Sequence, residues 1–171
     1  SNTGMINLPV LDSTFDYTGS LQTYKVPTGV FYLKVETYGA EGGESQGSTG
    51  GKGAYMSGEF AVTPGQVLNI IVGGMGESNT SNQGGGGGGS FVVTQSGTAM
   101  IISGGGGGGY YSAYDFGAAN MDANITEDGN DGSHGNDAAI AGLGGAAGNG
   151  GEAGTYVGGS NGTGGAGFLT N

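Results

Sequence analysis

Glycine is the feature that most limits how this chain can fold. The sequence of 171 residues contains 45 glycines, and only four of them precede residue 41. Each glycine loses more backbone freedom on folding than any other residue, and a glycine-rich chain with a net charge of −11 has the composition of a disordered one. An ordered state therefore requires an arrangement in which the absence of side chains itself stabilises the fold, to offset this entropy.

The glycine tracts recur with a period of three. From Gly129 to Gly165, every third residue is glycine or alanine, with the single exception of Tyr156. Three residues per turn is the repeat of the polyproline II helix. Collagen shares this repeat but needs abundant proline, and no proline follows Pro64. The pattern therefore predicts polyglycine II helices that lie side by side and bond to each other through backbone groups.

Two uninterrupted runs of six glycines, 84–89 and 104–109, are the clearest candidates for such helices. Further glycine tracts cover 41–53 and 129–167. A flexible linker is the alternative, but such linkers usually contain interspersed serine and have no three-residue phase. Because backbones must touch where side chains are absent, we predict structural roles for Gly84, Gly86, Gly89, Gly104, Gly106 and Gly109.

Strand patterns lie mainly between residues 20 and 103, and helical periodicity is nearly absent. The clearest strand pattern is 30–38, where apolar and polar residues alternate with a period of two, which predicts that one side of the strand faces solvent. A turn is expected at 63–66, and a hairpin is expected around Ser96 and Gly97. The chain is thus predicted to be one mainly β domain with an antiparallel sandwich. The other β-branched or aromatic runs are 54–62, 67–72, 90–94 and 99–102.

Charge excludes several classes of partner. The chain has three lysines and no arginine against 14 acidic residues, and no lysine follows Lys52. Such a surface cannot neutralise the phosphates of a nucleic acid or of an anionic membrane. No run of about 18 apolar residues is present, so no membrane insertion is predicted. Cysteine is absent, which excludes disulfides and a thiolate zinc site.

The sequence offers little for catalysis or for a cofactor. The run 104–109 matches the spacing G-x-G-x-x-G, as any run of six glycines must, but no helical pattern follows it to hold a pyrophosphate. The single histidine, His134, lies in an acidic glycine-rich tract, and the acidic residues cannot be sorted into a catalytic pair. We therefore predict a non-enzymatic protein without a cofactor.

A column of acidic residues is one candidate metal site. At three residues per turn, Asp128, Asp131, His134 and Asp137 would lie on one side of a helix, about 9 Å apart along its axis. Calcium holds its ligands at about 2.3–2.6 Å, so a single ion could not bridge two of them without a neighbouring segment. The alternative is a solvated acidic edge, and the sequence favours it.

A cluster of aromatic residues is the candidate ligand-binding site. It follows the second six-glycine run directly and comprises Tyr110, Tyr111, Tyr114 and Phe116, with Asp115 beside them. Loop-borne tyrosine with serine and aspartate can contact a sugar or a protein. The alternative is that these rings cover the side of the glycine helices.

A set of short motifs runs from residue 15 to about residue 109. They are F-D-Y-T-G at 15–19, Q-T-Y-K-V-P at 22–27, V-E-T-Y-G-A-E-G-G at 35–43, G-G-K-G-A-Y at 50–55, T-P-G-Q at 63–66 and the two six-glycine runs that flank a hairpin. In these motifs the chain resembles the glycine-rich domain of the anaplastic lymphoma kinase and leukocyte tyrosine kinase receptors, which is also found in bacterial surface proteins. The C-terminal tract resembles that domain only in composition.

The resemblance implies a jelly-roll sandwich similar to tumour necrosis factor, with polyglycine helices packed as a bundle between strands. It also implies an extracellular setting and a role in binding. The chain departs from the receptors in having no cysteine and no arginine. We expect an extracellular or cell-surface module for recognition of a protein or glycan, or for adhesion; the alternatives are a bacteriophage tail-fibre adhesin, a structural spacer and an ice-binding protein.

Overall fold

The computed structural model describes residues 11–45, 49–79, 84–109 and 122–125, together with two short backbone strands further along the chain. Within these residues the chain forms strands and extended segments and no helix. This confirms the prediction of a mainly β protein. Every described strand pair is antiparallel, as expected.

The strands form two sheets and one short pair. A four-stranded sheet has the order β1-β4-β5-β6, β2 pairs with β3, and β7 pairs with β8. Five of the sequence patterns correspond to β2 through β6, with ends that agree to within two residues. The strands are β1 (Gln22–Lys25), β2 (Tyr32–Tyr38), β3 (Tyr55–Ala61), β4 (Val67–Ile71), β5 (Ser90–Thr94), β6 (Ala99–Ser103), β7 (Ala139–Ile140) and β8 (Thr155–Tyr156).

Two predicted turns connect these strands. Between β3 and β4, the amide of Gln66 donates to the carbonyl of Thr63 at 2.9 Å. Gly65 has a φ of 83°, which the third position of this turn demands. Between β5 and β6, Gly97 has a φ of 85° and closes the predicted hairpin. Both turns are confirmed, and the first carries the chain from one sheet to the other.

The core lies between the two sheets. Its buried cluster comes from the four-stranded sheet, where Leu68 is 1% exposed. Inward side chains of the other sheet pack against this cluster, which buries apolar surface from both sides. Because side chains alternate along a strand, every second residue of β2 and β3, starting with Tyr32 and Tyr55, faces solvent. The cluster is Leu68, Ile70, Val92 and Ile101, and the residues that β2 and β3 pack against it are Leu33, Val35, Met56 and Phe60.

Five glycine-rich segments continue from the strand ends, and together they are called the glycine bundle here. They belong to no helix or sheet ladder, yet they are extensively hydrogen bonded to each other. Each begins or ends where a strand of one of the two sheets does. The segments are 39–45 after β2, 49–54 before β3, 73–79 after β4, 84–89 before β5 and 104–109 after β6.

The segment 39–45 lies at the centre of the glycine bundle, because it hydrogen bonds to each of the other four. The bonds repeat every third residue on both segments of a pair, so every third residue bonds to the same neighbouring segment. The bonds include Ala40 N to Gly88 O at 2.9 Å, Gly43 N to Gly85 O at 2.7 Å, Gly42 N to Gly51 O at 2.9 Å, Gly76 N to Glu41 O at 2.9 Å, Gly106 N to Ala40 O at 2.9 Å and Gly109 N to Gly43 O at 2.8 Å.

Close backbone contact explains most of the glycines in the bundle. A Cβ atom added at such a position would overlap the carbonyl group of a neighbouring segment. Positive φ is not the reason, since the four described glycines with positive φ all lie outside the bundle. The overlaps include Gly84 with the carbonyl of Gly43, Gly87 with that of Ala40, and Gly106 with that of Gly51.

The other glycines singled out from the sequence differ in the space around them. A Cβ on Gly89 would lie 3.0 Å from the ring of Phe91. The amide of Gly109 donates to the carbonyl of Gly43 in the central segment. In contrast, Gly86 and Gly104 have room for a methyl group, because the nearest atoms would be 3.7 Å and 3.8 Å away. The need for glycine therefore depends on the position within the three-residue repeat and not on the run as a whole.

Two neighbouring glycines provide a test of this packing. Gly87→Ala should lower the free energy of unfolding by more than about 4 kcal/mol, because the methyl group would overlap the Ala40 carbonyl. Gly86→Ala, in the same run, should change it by less than about 1 kcal/mol. Urea denaturation of both variants measures the difference. Gly106→Val should behave like Gly87→Ala, and equal stability of all three variants would contradict the packing.

Candidate functional site

The candidate site residues predicted from the sequence lie outside the described residues. This holds for the aromatic cluster of Tyr110, Tyr111, Tyr114 and Asp115, and for the acidic column of Asp128, Asp131 and Asp137. Both remain predictions. In the part of the chain that the structure describes, no group of three histidine, cysteine or acidic residues could hold a metal ion.

An exposed aromatic surface is present on the outer side of β2 and β3. The period of two places alternate residues of both strands on this side, opposite those that pack into the core. The register then sets Tyr38 opposite Tyr55 and Lys34 opposite Glu59. We call this surface the tyrosine face; it consists of Tyr32, Lys34, Glu36, Tyr38, Tyr55, Ser57 and Glu59.

Two tyrosines form the aromatic centre of this face. The ring centroids of Tyr38 and Tyr55 are 4.9 Å apart and the rings are tilted by 36°. The residues remain 64% and 48% exposed, so the pair does not bury its rings in the protein. Cross-strand aromatic pairs contribute about 0.2–1 kcal/mol to a sheet, mostly by contact with each other. The pair therefore presents aromatic surface to solvent in a defined orientation.

The end of β2 is held in place by a buried serine. The Ser90 hydroxyl donates to the carbonyl of Tyr38 at 2.7 Å and accepts a hydrogen bond from the amide of Gly73 at 3.0 Å. Ser90 is buried, so these groups would be costly to leave without partners. One hydroxyl thus links β2 and β5 to the glycine bundle and fixes the backbone that carries Tyr38.

An ion pair lies beside the aromatic centre. Lys34 Nζ is 2.6 Å from Glu36 Oε1, and both side chains are exposed. The hydrogen bond between them, together with their charge attraction, raises the pKa of Lys34 and lowers the pKa of Glu36. A weaker hydrogen bond from Tyr55 also lowers the pKa of Glu36. The tyrosine face therefore keeps one cation and its carboxylate partner charged across the neutral range.

This arrangement suits binding by surface contact. Tyrosine rings stack on apolar faces of sugars or side chains, and their hydroxyl groups bond at the edge. Lys34, Glu36 and Ser57 add donors and acceptors within the same plane of the sheet. The combination of a flat aromatic centre with polar groups around it can orient a ligand by hydrogen bonds while the rings supply contact area.

Sequence reasoning recognised half of the tyrosine face. It placed the alternating polar residues of 30–38 on a solvated side, but it did not identify that side as a site. The missing half was the opposite strand, because the pairing of Tyr38 with Tyr55 depends on a register between residues far apart in the chain. One signal was available: each of these tyrosines adjoins a glycine tract, Tyr38 before Gly39 and Tyr55 after Ala54.

Comparisons with known proteins do not extend these observations. No protein-family model matches the sequence, and no curated protein matches it. The resemblance to the glycine-rich domain is therefore a hypothesis that rests on the short motifs. None of the described residues forms a helix that is long and apolar enough to span a membrane.

The ion pair predicts a specific titration. Glu36 should titrate below the ordinary carboxyl range, because Lys34 donates to its ionised form. The stabilisation is thus present above the pKa of the unfolded chain and is lost as the pH falls through the lower pKa of the folded one. Lys34→Gln should return the carboxyl pKa toward its ordinary value in an NMR titration. Lys25→Gln, on β1, is the control and should leave the Glu36 titration unchanged.

Proposed function

We propose that this protein is a non-enzymatic extracellular module for recognition or adhesion, and that its tyrosine face contacts a protein or glycan ligand. The observation that carries the proposal is the exposed Tyr38–Tyr55 pair, with centroids 4.9 Å apart, on the outer side of a packed sheet. Tyrosine supplies a large contact area at a low cost in side-chain entropy. A preformed ring pair lowers this cost further.

The scaffold of this module is a jelly-roll sandwich with a bundle of polyglycine II helices at one end. Two observations support the proposal of polyglycine II helices: the hydrogen bonds recur at every third residue, and burial has the same period. Along the last segment, Gly106 and Gly109 are buried, whereas Gly104 and Gly107 are exposed. The proposal of a sandwich is supported by the two antiparallel sheets, whose inner side chains pack against each other. Such a scaffold would fix the positions of β2 and β3, so that the tyrosine face needs no rearrangement to bind a ligand.

The extracellular setting rests on the resemblance to the glycine-rich domain. The same face would also serve a bacteriophage tail-fibre adhesin that binds a host receptor, so this alternative remains within the same class of function. A structural spacer has no need of an exposed tyrosine pair. An ice-binding protein would need a weakly charged face, and the ion pair of Lys34 and Glu36 with Glu59 nearby argues against it.

Binding assays with matched variants test the proposal. The probes are a glycan array and intact bacterial and animal cells, with the fluorescently labelled protein. Tyr38→Ser combined with Tyr55→Ser should reduce binding at least about tenfold, because it removes the aromatic contact. Ile71→Ser is the control; Ile71 is exposed on β4, in the other sheet, and its replacement should preserve binding. Thermal melting should show that all variants fold.

The same assays separate the tyrosine face from the aromatic loop. If the combined Tyr110, Tyr111 and Tyr114 to Ala variant loses binding and the Tyr38 and Tyr55 variant retains it, the ligand site is the loop. If all variants bind as the unaltered protein does, neither aromatic group is the site. Failure of the unaltered protein to bind any glycan or cell would favour the structural spacer.

A further inference from the structure

The pairing of β2 with β3 continues into the glycine bundle. In the sheet, the register sets Tyr38 opposite Tyr55. One residue further, the amide of Gly39 donates to the carbonyl of Ala54 at 2.9 Å, and the next bond of this kind follows after three residues on each segment. The two segments therefore keep the antiparallel register of the sheet, but with a period of three instead of two.

Exposed side chains follow this period of three along both segments. The first residues in line are the two tyrosines, and beyond them every third residue of 39–45 and of 49–54 is exposed, whereas the described residues between them are not. The register sets these residues in opposite pairs, about 9 Å apart along the segments. We call the pairs the three rungs; they are Tyr38 with Tyr55, Glu41 with Lys52, and Glu44 with Thr49.

The second and third rungs carry charges that are available to a ligand. Among the described residues, the one ion pair lies on β2, so the side chains of Glu41 and Lys52 are not paired with each other. Their charges balance. Glu44 lies opposite Thr49 and adds an unbalanced negative charge at the far end of the rungs. A ligand would thus meet aromatic rings at one end and a carboxylate at the other, about 19 Å away.

Two backbone amides beside the rungs have no partner among the described residues. They belong to Gly50 and Gly53, which are partly exposed and lie three residues apart. The two amides between them donate to segment 104–109 and to Asp122. Successive residues of a three-residue repeat point about 120° apart, so the amides of Gly50 and Gly53 share the third direction. They are donors without an acceptor, at the spacing of the rungs.

We infer that the ligand of the tyrosine face is a polypeptide segment in the polyproline II conformation, with proline at every third residue and a basic residue opposite Glu44. The inference rests on the proposed function and names the class of ligand for it. A polyproline II helix has three residues per turn, so it presents the same side to each rung. A β-strand repeats every two residues and would lose this phase.

Proline suits both the backbone groups and the aromatic end of this surface. It has a carbonyl group and no N–H, so a proline-rich segment offers acceptors to the amides of Gly50 and Gly53 and brings few donors that need a partner. Aromatic-lined grooves are the usual sites for segments of this conformation. The conformation is also formed before binding, which lowers the entropy cost of association.

The charges determine which residue the ligand carries at each rung. At the second rung, Lys52 would repel a basic side chain and Glu41 would repel an acidic one, so an uncharged residue fits there. At the third rung, Glu44 attracts a basic side chain and no opposite cation competes with it. Proline at the tyrosine rung and arginine at the third rung are then six residues apart, with a second proline between them.

Synthetic peptides test this class of ligand. The probes are P-Q-Q-P-Q-Q-R and its reverse, each with a fluorescent label, and fluorescence anisotropy measures their binding to the full chain. At least one of them should bind with a Kd below about 1 mM. In the control peptide P-Q-Q-P-Q-R-Q, the arginine is turned by about 120° from Glu44, and binding should be at least about twofold weaker.

Charge exchange at the third rung tests where the arginine lies. Glu44→Lys should weaken binding of the arginine probe at least about fivefold, because repulsion replaces attraction, and it should favour a probe with glutamate in that position. Asp16→Lys is the matched control. It makes the same change in net charge at an exposed residue before β1, and it should alter binding less than about twofold. Thermal melting should show that both variants fold.

The outcomes separate this inference from the proposed function. The inference is wrong if neither probe binds, if the displaced arginine binds equally well, or if Glu44→Lys has no more effect than Asp16→Lys. It is also wrong if the combined Tyr38→Ser and Tyr55→Ser variant binds the probes normally. In each case the proposed function still stands when that tyrosine variant loses binding to cells or glycans, and it fails when the variant retains such binding.

Discussion

The close contact of backbones in the glycine bundle is the constraint on which the rest of the structure depends. Five segments approach so closely that a methyl group at most of their glycines would overlap a neighbouring carbonyl. What they gain is the pairing of peptide groups away from water, which offsets the entropy that each glycine loses. Each segment begins or ends at a strand of one of the two sheets, so the bundle also determines where those strands begin and end.

The position of the tyrosine face follows from that arrangement. β2 enters the central segment directly after Tyr38, and β3 leaves the bundle directly before Tyr55. The amide of Gly39 bonds to the carbonyl of Ala54 at 2.9 Å, one residue beyond this pair. The two backbones are thus tied together at the point where the rings stack. The backbone beneath the aromatic centre is held by this bond and lies beside the segments in which a side chain has least room.

Local patterns in the sequence were sufficient for β2 to β6 and for the three-residue repeat of the glycine tracts, but no pattern predicted β1. A period of two at 30–38 and Pro64 in its turn act over a few residues, so they can be recognised without a structure. The difference between Gly86 and Gly87 could not be predicted, because it depends on which segment lies beside each residue. The same holds for Tyr38 and Tyr55, whose contact requires two strands separated by a glycine-rich connection to pair in one register.

The charges on β2 affect how the tyrosine face meets other chains. Lys34 and Glu36 lie on the strand between Tyr32 and Tyr38, and both are exposed. Charged side chains on a strand discourage pairing with the strands of other proteins. The exposed aromatic surface is therefore combined, on the same strand, with charges that limit unspecific association.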